Sequence, residues 1–189
     1  MAYYDDRDHV REYITMAEGY DGAQLIEVLK RHLPAGSTVL ELGMGPGKDL
    51  DLLAEQYRAT GSDASRAFLD LYRKREPQAD LLLLDARTID TVLRFDCIYS
   101  NKVLIHLTEA ELDESMRRQA AVLNDRGYVM HSFWCGDKEA EEHHGLRFSY
   151  NTEAELTRLA GDLFEVVEMA RYREMDDGDS IYLLMRKGE

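Results

Sequence analysis

The chain has 189 residues, 44% hydrophobic and 32% charged, which is the composition of an ordered globular protein and the length of one domain. Lys and Arg number 23 against 37 Asp and Glu, a net charge of −14 that repels phosphate backbones and anionic lipid, so neither nucleic acid nor membrane is an expected partner. No apolar run nears the roughly 18 residues of a membrane span. The first ten residues (MAYYDDRDHV) are too acidic and polar for a signal peptide, and two cysteines, Cys97 and Cys135, at no metal-site spacing suit a reducing cytoplasm.

In chain order, residues 1–36 read as helical, with Ala23, Ile26, Leu29 and Leu33 on one stripe closed by Pro34 and Gly36. Thr38–Leu42 is a short apolar strand. Leu50, Leu53, Ala54 and Tyr57 follow at helical spacing, then a strand over 58–63. Ala67, Phe68, Leu71 and Tyr72 mark a helix that Pro77 closes; Leu81–Leu84 reads as a fully buried strand and Phe95–Ser100 as another. Thr108 and Glu111 have capping-box spacing and open a helix through Met116, Ala120 and Leu123, which Asn124–Gly127 ends. Tyr128–Trp134 is the next strand. Residues 135–150 show neither period and read as an inserted loop. A second capping box, Thr152 and Glu155, opens a helix with Leu156, Leu159, Ala160 and Leu163. Phe164–Tyr172 and Ser180–Arg186 close the chain as a hairpin around Asp177-Gly178. Strands alternating with helices predict an α/β fold, a doubly wound parallel sheet with one antiparallel strand near its end.

The sharpest motif is Glu41-Leu42-Gly43-Met44-Gly45-Pro46-Gly47, between the first strand and the next helix, where such sheets bind nucleotides. Its glycines allow a tight turn and close backbone approach to a ligand. Glycines at 43, 45 and 47, with Lys48 where a dinucleotide fingerprint needs glycine and Pro46 lacking an N–H, point away from a pyrophosphate and toward a smaller anion such as a carboxylate. Asp63 and Asp85 end the second and third strands, where a carboxylate suits ribose hydroxyls and an adenine amino group; each alone also reads as a helix cap. Ala86 offers an amide to a ring nitrogen, and Ser100 closes the fourth strand beside the glycine loop.

These segments, VLELGMGPG (39–47), GSDAS (61–65), LLLLDA (81–86), FDCIYSNKVLIHL (95–107) and FSYNTEAEL (148–156), resemble the class I S-adenosylmethionine-dependent methyltransferases of small-molecule type, over about residues 20–187. The resemblance implies a Rossmann-like sheet of seven strands in order 3-2-1-4-5-7-6 with strand 7 antiparallel. It also implies one domain over 1–189, with residues 1–36 as an N-terminal helical cap and 37–189 as the cofactor core. The expected cofactor is S-adenosyl-L-methionine, leaving as S-adenosyl-L-homocysteine. By position, Gly43, Met44, Gly45 and Gly47 hold its methionine part and ribose, with Glu41 acting on the methionine end. Asp63 holds the ribose hydroxyls, Ala64 touches the adenine, Asp85 and Ala86 read the adenine edge, and the Ser100 carbonyl receives the amino group. The expected partner is a small-molecule methyl acceptor, for a monomer or homodimer in the cytoplasm.

Beyond the cofactor, His106 follows the fourth strand and is a candidate catalytic base, or a loop histidine bonded to backbone. Trp134 is a candidate pocket wall, and Arg147 and Tyr150 candidate partners of a substrate carboxylate. Tyr4, Tyr13 and Tyr20 are candidate contacts from a lid-like segment. His143 and His144 beside Glu141 and Glu142 read as a solvated loop rather than a metal site. The competing functions are a nicotinamide-dependent oxidoreductase and a binding module that holds S-adenosylmethionine without catalysis.

Overall fold

Thr38–Leu42 (β1) carries Val39, Leu40 and Leu42 with no exposed side-chain surface, which requires cover on both faces of the strand. The cover comes from parallel neighbours on either side and helices above and below, in a computed structural model that describes residues 7–16, 19–143 and 145–188. The sheet also contains β2 (Arg58–Asp63), β3 (Asp80–Leu83), β4 (Phe95–Asn101), β5 (Leu123–Cys135), β9 (Phe164–Tyr172) and β10 (Ser180–Lys187). Its order is β3-β2-β1-β4-β5-β10-β9, with β10 antiparallel to both β5 and β9. That is the expected order and the expected strand reversal.

Alternate residues of β1 face two cores. Leu40 and Leu42 pack with Ile98 and Phe133 under α5 (Glu109–Val122) and α6 (Glu153–Ala160), which contribute Met116, Ala120 and Leu156. Val39 packs with Leu25, Ile26 and Leu29 of α2 (Ala23–Lys30) and Leu53 of α3 (Lys48–Ala54). Truncating any of these fully buried leucines to alanine costs about 2–5 kcal/mol. α4 (Arg66–Arg75) packs Leu69 and Tyr72 against Met44 and Leu50. An N-terminal helix, α1 (Arg7–Met16), precedes them. Both expected capping boxes form: Glu111 Oε2 accepts from the Thr108 amide at 2.9 Å, and Glu155 Oε2 from the Thr152 amide at 2.8 Å.

Several local expectations are corrected. β3 is an edge strand, and Leu83 is 53% exposed, so the run of leucines is half covered rather than fully buried. In α4, Leu69 is buried and Leu71 faces solvent. α3 ends at Ala54, so Tyr57 is buried just beyond it, with its hydroxyl 3.4 Å from the Leu33 carbonyl. Leu123 starts β5 rather than ending α5, and residues 124–127 are a bulged part of that strand with Arg126 at φ +60°. α6 ends at Ala160, leaving Leu163 exposed. The region 135–150 is not an unstructured insertion: β6 (Glu141–His143) pairs antiparallel with β7 (Leu146–Phe148), and β8 (Tyr150–Asn151) adds to the end of β5.

Candidate functional site

The parallel strands β1, β2, β4 and β5 present their carboxyl ends along one edge, where open α/β sheets bind ligands. A cavity of about 660 Å³ opens above the β1–β4–β5 part of that edge, within the usual range of small-molecule sites. Its floor is the glycine loop after β1. Gly43, Gly45 and Gly47 all have positive φ, at 64°, 50° and 84°. A Cβ on Gly43 would stand 2.6 Å from both γ-carbons of Val103, so the loop is pressed against the segment after β4. The Met44 amide donates to the Ser62 carbonyl at 2.9 Å, locking the loop to β2.

Three buried carboxylates surround this loop. Asp63 accepts from the Gly45 amide at 2.9 Å through one oxygen and from the Ser65 amide at 2.8 Å through the other. Asp49 accepts from the Gly22 amide at 2.6 Å, the Tyr99 hydroxyl at 2.7 Å and the Asn101 side chain at 3.1 Å. Glu41 lines the cavity at 4% exposure, and among the described residues its Oε2 has no hydrogen-bond partner. Burial raises the pKa of all three; for Glu41, which rises well above its ordinary range, the charges of Asp49 and Asp63 add to the effect. An orphaned buried carboxylate beside a glycine cradle is suited to a ligand that brings positive charge.

His106 ends a 3-10 turn, Leu104–His106, that follows β4. Its Nδ1 lies 2.6 Å from the Arg147 carbonyl. A carbonyl oxygen only accepts, so Nδ1 carries the proton and Nε2 keeps a lone pair. Burial lowers the pKa of this imidazole, which favours the neutral form. The ring stands edge-on to Phe148 at 4.9 Å. His106 is thus bonded to backbone, as the second reading had it, and it lines the cavity.

The cavity brings together Glu41, Gly43, Met44, His106, Trp134, Tyr20 and Tyr150. Gly45, Gly47, Asp63, Ala64, Asp85, Ala86 and Ser100 do not line it. Asp85 lies at the next strand end, where the Arg87 guanidinium bonds both its oxygens at 3.0 Å and holds its pKa low. Arg147 is also outside the cavity, and among the described residues its buried Nε has no hydrogen-bond partner. Tyr4, the Tyr13 side chain and His144 lie outside the described residues. His143 is turned to Glu141 at 3.1 Å, and among the described residues no group of three His, Cys, Asp or Glu side chains converges on one point.

Sequence reasoning missed Asp49, Lys102 and Glu174. Asp49 stands directly after the glycine loop and was legible only as a polar residue in a helix. Lys102 sits at φ +55°, a conformation that side chains seldom adopt. Its ammonium donates to Tyr172 Oη at 3.1 Å and Ser180 Oγ at 2.8 Å, forms an ion pair with Glu174, and lies 4.0 Å from the Trp134 ring centre. No sequence pattern joins residues 72 positions apart in this way.

Residues 39–127 match the family model described as "Methyltransferase domain". The chain is 32% identical over 120 residues to a dTDP-3-amino-3,6-dideoxy-alpha-D-glucopyranose N,N-dimethyltransferase of Streptomyces fradiae, covering 60% of this chain and 46% of that protein. It is 38% identical over 134 residues to a trans-aconitate 2-methyltransferase of Variovorax paradoxus, covering 69% and 50%. It thus spans about half the length of these curated relatives. A solved structure of 1,6-didemethyltoxoflavin-N1-methyltransferase from Burkholderia thailandensis, with S-adenosylhomocysteine bound, superimposes with a TM-score of 0.76 at 21% identity, over 100% of this chain and 92% of that one. Strand order, glycine loop and the match of residues 39–127 to a methyltransferase domain agree, and the chain has the fold of that solved methyltransferase.

Proposed function

We propose that the protein is an S-adenosylmethionine-dependent methyltransferase acting on a small-molecule acceptor by in-line displacement. The observation that carries this reading is Glu41: a buried carboxylate with an orphaned oxygen at the end of β1, beside the glycine loop and on the cavity wall. When bound, the cofactor supplies a methyl group already activated on a sulfonium. The chain's own part is to hold it, align the acceptor and exclude water, and alignment alone is worth roughly 7–11 kcal/mol of barrier.

Gly43, Met44, Gly45 and Gly47 form the cradle, and Glu41 complements the positive methionine end. Asp63 keeps its carboxylate fixed by two backbone amides, leaving further lone pairs for ribose hydroxyls, with Ala64 beside it. Asp85 and Ala86 serve the adenine edge, and the Ser100 carbonyl the amino group. Tyr20, with α1 and the rest of residues 1–36, caps the cavity, and Trp134, Phe148 and Tyr150 wall the acceptor side. His106, neutral and with Nε2 unprotonated, takes a proton from the acceptor. Two of the relatives and the solved neighbour are methyltransferases of small molecules, which supports the acceptor class. Among the described residues no helix is long and apolar enough to cross a membrane, and we place the protein in the cytoplasm as a monomer or homodimer. Incubation with methyl-labelled S-adenosylmethionine and a metabolite extract tests the reading: label is expected in the small-molecule fraction, and its absence there contradicts catalysis.

A further inference from the structure

We propose that the methyl acceptor carries a basic nitrogen and that the pocket discriminates against carboxylate and phosphate acceptors. This rests on reading the cavity as the methyl-transfer site and names what enters its outer half. The first observation is the state of Lys102. An ammonium has three donors, and those of Lys102 go to Tyr172 Oη, Ser180 Oγ and the Glu174 carboxylate, while its charge lies over the faces of Trp134 and Tyr172 at 4.0 and 5.0 Å. The cation deepest in the acceptor wall is therefore spent within the protein. The other lining lysine, Lys48, is on the glycine-loop side, with its ammonium 3.4 Å from the Tyr20 carbonyl. Arg147 does not reach the cavity.

The second observation is the excess of negative charge. With Lys102 and Glu174 cancelling, and Glu41 given to the methionine end of the cofactor, Glu12, Asp21 and Asp49 stand against Lys48 alone on the lining. A cleft lined by one sign of charge concentrates ligands of the other sign. The third observation is the wall itself: Trp134, Phe148 and Tyr150 line it with aromatic surface suited to a flat ring, Trp134 and Tyr150 already carrying the ammoniums of Lys102 and Lys138 at 4.0 and 3.9 Å. His106 adds a hydrogen-bond acceptor, suited to an N–H and not to an anionic oxygen.

Trp134 is the sole tryptophan of the chain and lines the pocket, so its fluorescence reports on this site. The test titrates 3-phenylpropylamine and its near-isostere 3-phenylpropanoate at low salt, with and without saturating S-adenosylhomocysteine. The amine is expected to perturb Trp134 at a concentration at least tenfold lower than the acid. Glu174→Gln leaves Lys102 less completely paired and is expected to narrow that ratio at least threefold; Lys102→Met, which leaves Glu174 uncompensated, is expected to keep the ratio or widen it. Equal response to both probes, preference for the acid, or no response to either overturns the proposal. A missing heat of S-adenosylhomocysteine binding, measured separately, counts against the methyl-transfer reading alone, because the amine preference is also read without it.

Discussion

Ser100 Oγ and His131 Nδ1 lie 2.8 Å apart with both residues fully buried, and this bond begins a chain that crosses the molecule beneath the strand ends. His131 Nε2 meets Gln119 Oε1 at 2.7 Å; Gln119 Nε2 donates to Ser115 Oγ at 3.1 Å; Ser115 Oγ donates to the Ala86 carbonyl at 2.7 Å. The Gln119 oxygen only accepts, so the proton sits on His131 Nε2 and Ser100 donates to Nδ1. Every link then has one donor and one acceptor. The chain joins Ser100 and Ala86, the two positions proposed for opposite ends of the cofactor.

Burial pushes the His131 pKa down to about 3 from 6.5. Its contribution to stability is therefore complete above about pH 6.5 and is lost as the pH falls toward 3, because the unfolded chain takes up the proton first. The slope from this group is up to about 1.4 kcal/mol per pH unit in that window. Denaturant unfolding at pH 7, 6 and 5 checks it. His131→Phe is expected to lower stability at pH 7 by about 2–4 kcal/mol, since Ser100 and Gln119 lose their partner, and to flatten the acid slope. An unchanged slope contradicts the assignment.

Glu41 works in the opposite direction. Burial and neighbouring carboxylates raise its folded pKa, so the ionised side chain weakens the fold as pH rises past the ordinary carboxylate range. Glu41→Gln is expected to leave stability at pH 7.5 unchanged or higher by about 1 kcal/mol. It is also expected to weaken S-adenosylmethionine binding at least tenfold, measured by calorimetry. A less stable variant that binds normally contradicts the role.

His106 is kept neutral by burial and holds its proton on Nδ1. Activity is expected to fall on the acid side only as the pH drops below 6.5, through the lowered pKa. His106→Ala is expected to reduce kcat by roughly 10²–10⁴, leaving the KM for S-adenosylmethionine within twofold. A pH profile unchanged in the variant contradicts a base role.

Two glycines separate backbone strain from packing. Gly43 and Gly36 both have positive φ, at 64° and 81°, but only Gly43 has a neighbour where a Cβ would go, Val103 at 2.6 Å. Gly36→Ala is expected to cost about 1 kcal/mol, from φ alone. Gly43→Ala is expected to cost more and to abolish cofactor binding. Equal losses in unfolding experiments contradict the close packing of this loop.

The legible parts of the molecule were those set by local chemistry. β1 showed as Thr-Val-Leu-Glu-Leu because a central strand is apolar on both faces. α5 and α6 announced themselves through Thr108–Glu111 and Thr152–Glu155, and the β9–β10 hairpin through its acidic turn, where Asp179 accepts from the amides of Glu174, Met175 and Asp176 at 3.0, 2.9 and 2.9 Å. The glycine loop was legible because few residues tolerate its backbone. What stayed hidden depends on distance in sequence. The β6–β7 hairpin pairs Glu-Glu-His with Leu-Arg-Phe, three residues a side, too short for a period to show and with no apolar residue on the Glu-Glu-His side. Lys102 and Glu174 meet only because β4 and the β9–β10 turn end on one edge. The His131 chain uses four polar residues, each of which reads alone as an ordinary core exception.

Calorimetric titration of S-adenosylhomocysteine into the wild-type protein and Asp63→Ala tests the central claim most directly. Saturable one-to-one binding by the wild type, weakened at least tenfold when Asp63 no longer holds the Gly45 and Ser65 amides, is the expected result. No heat of binding at millimolar ligand, or equal affinity in the two proteins, contradicts it.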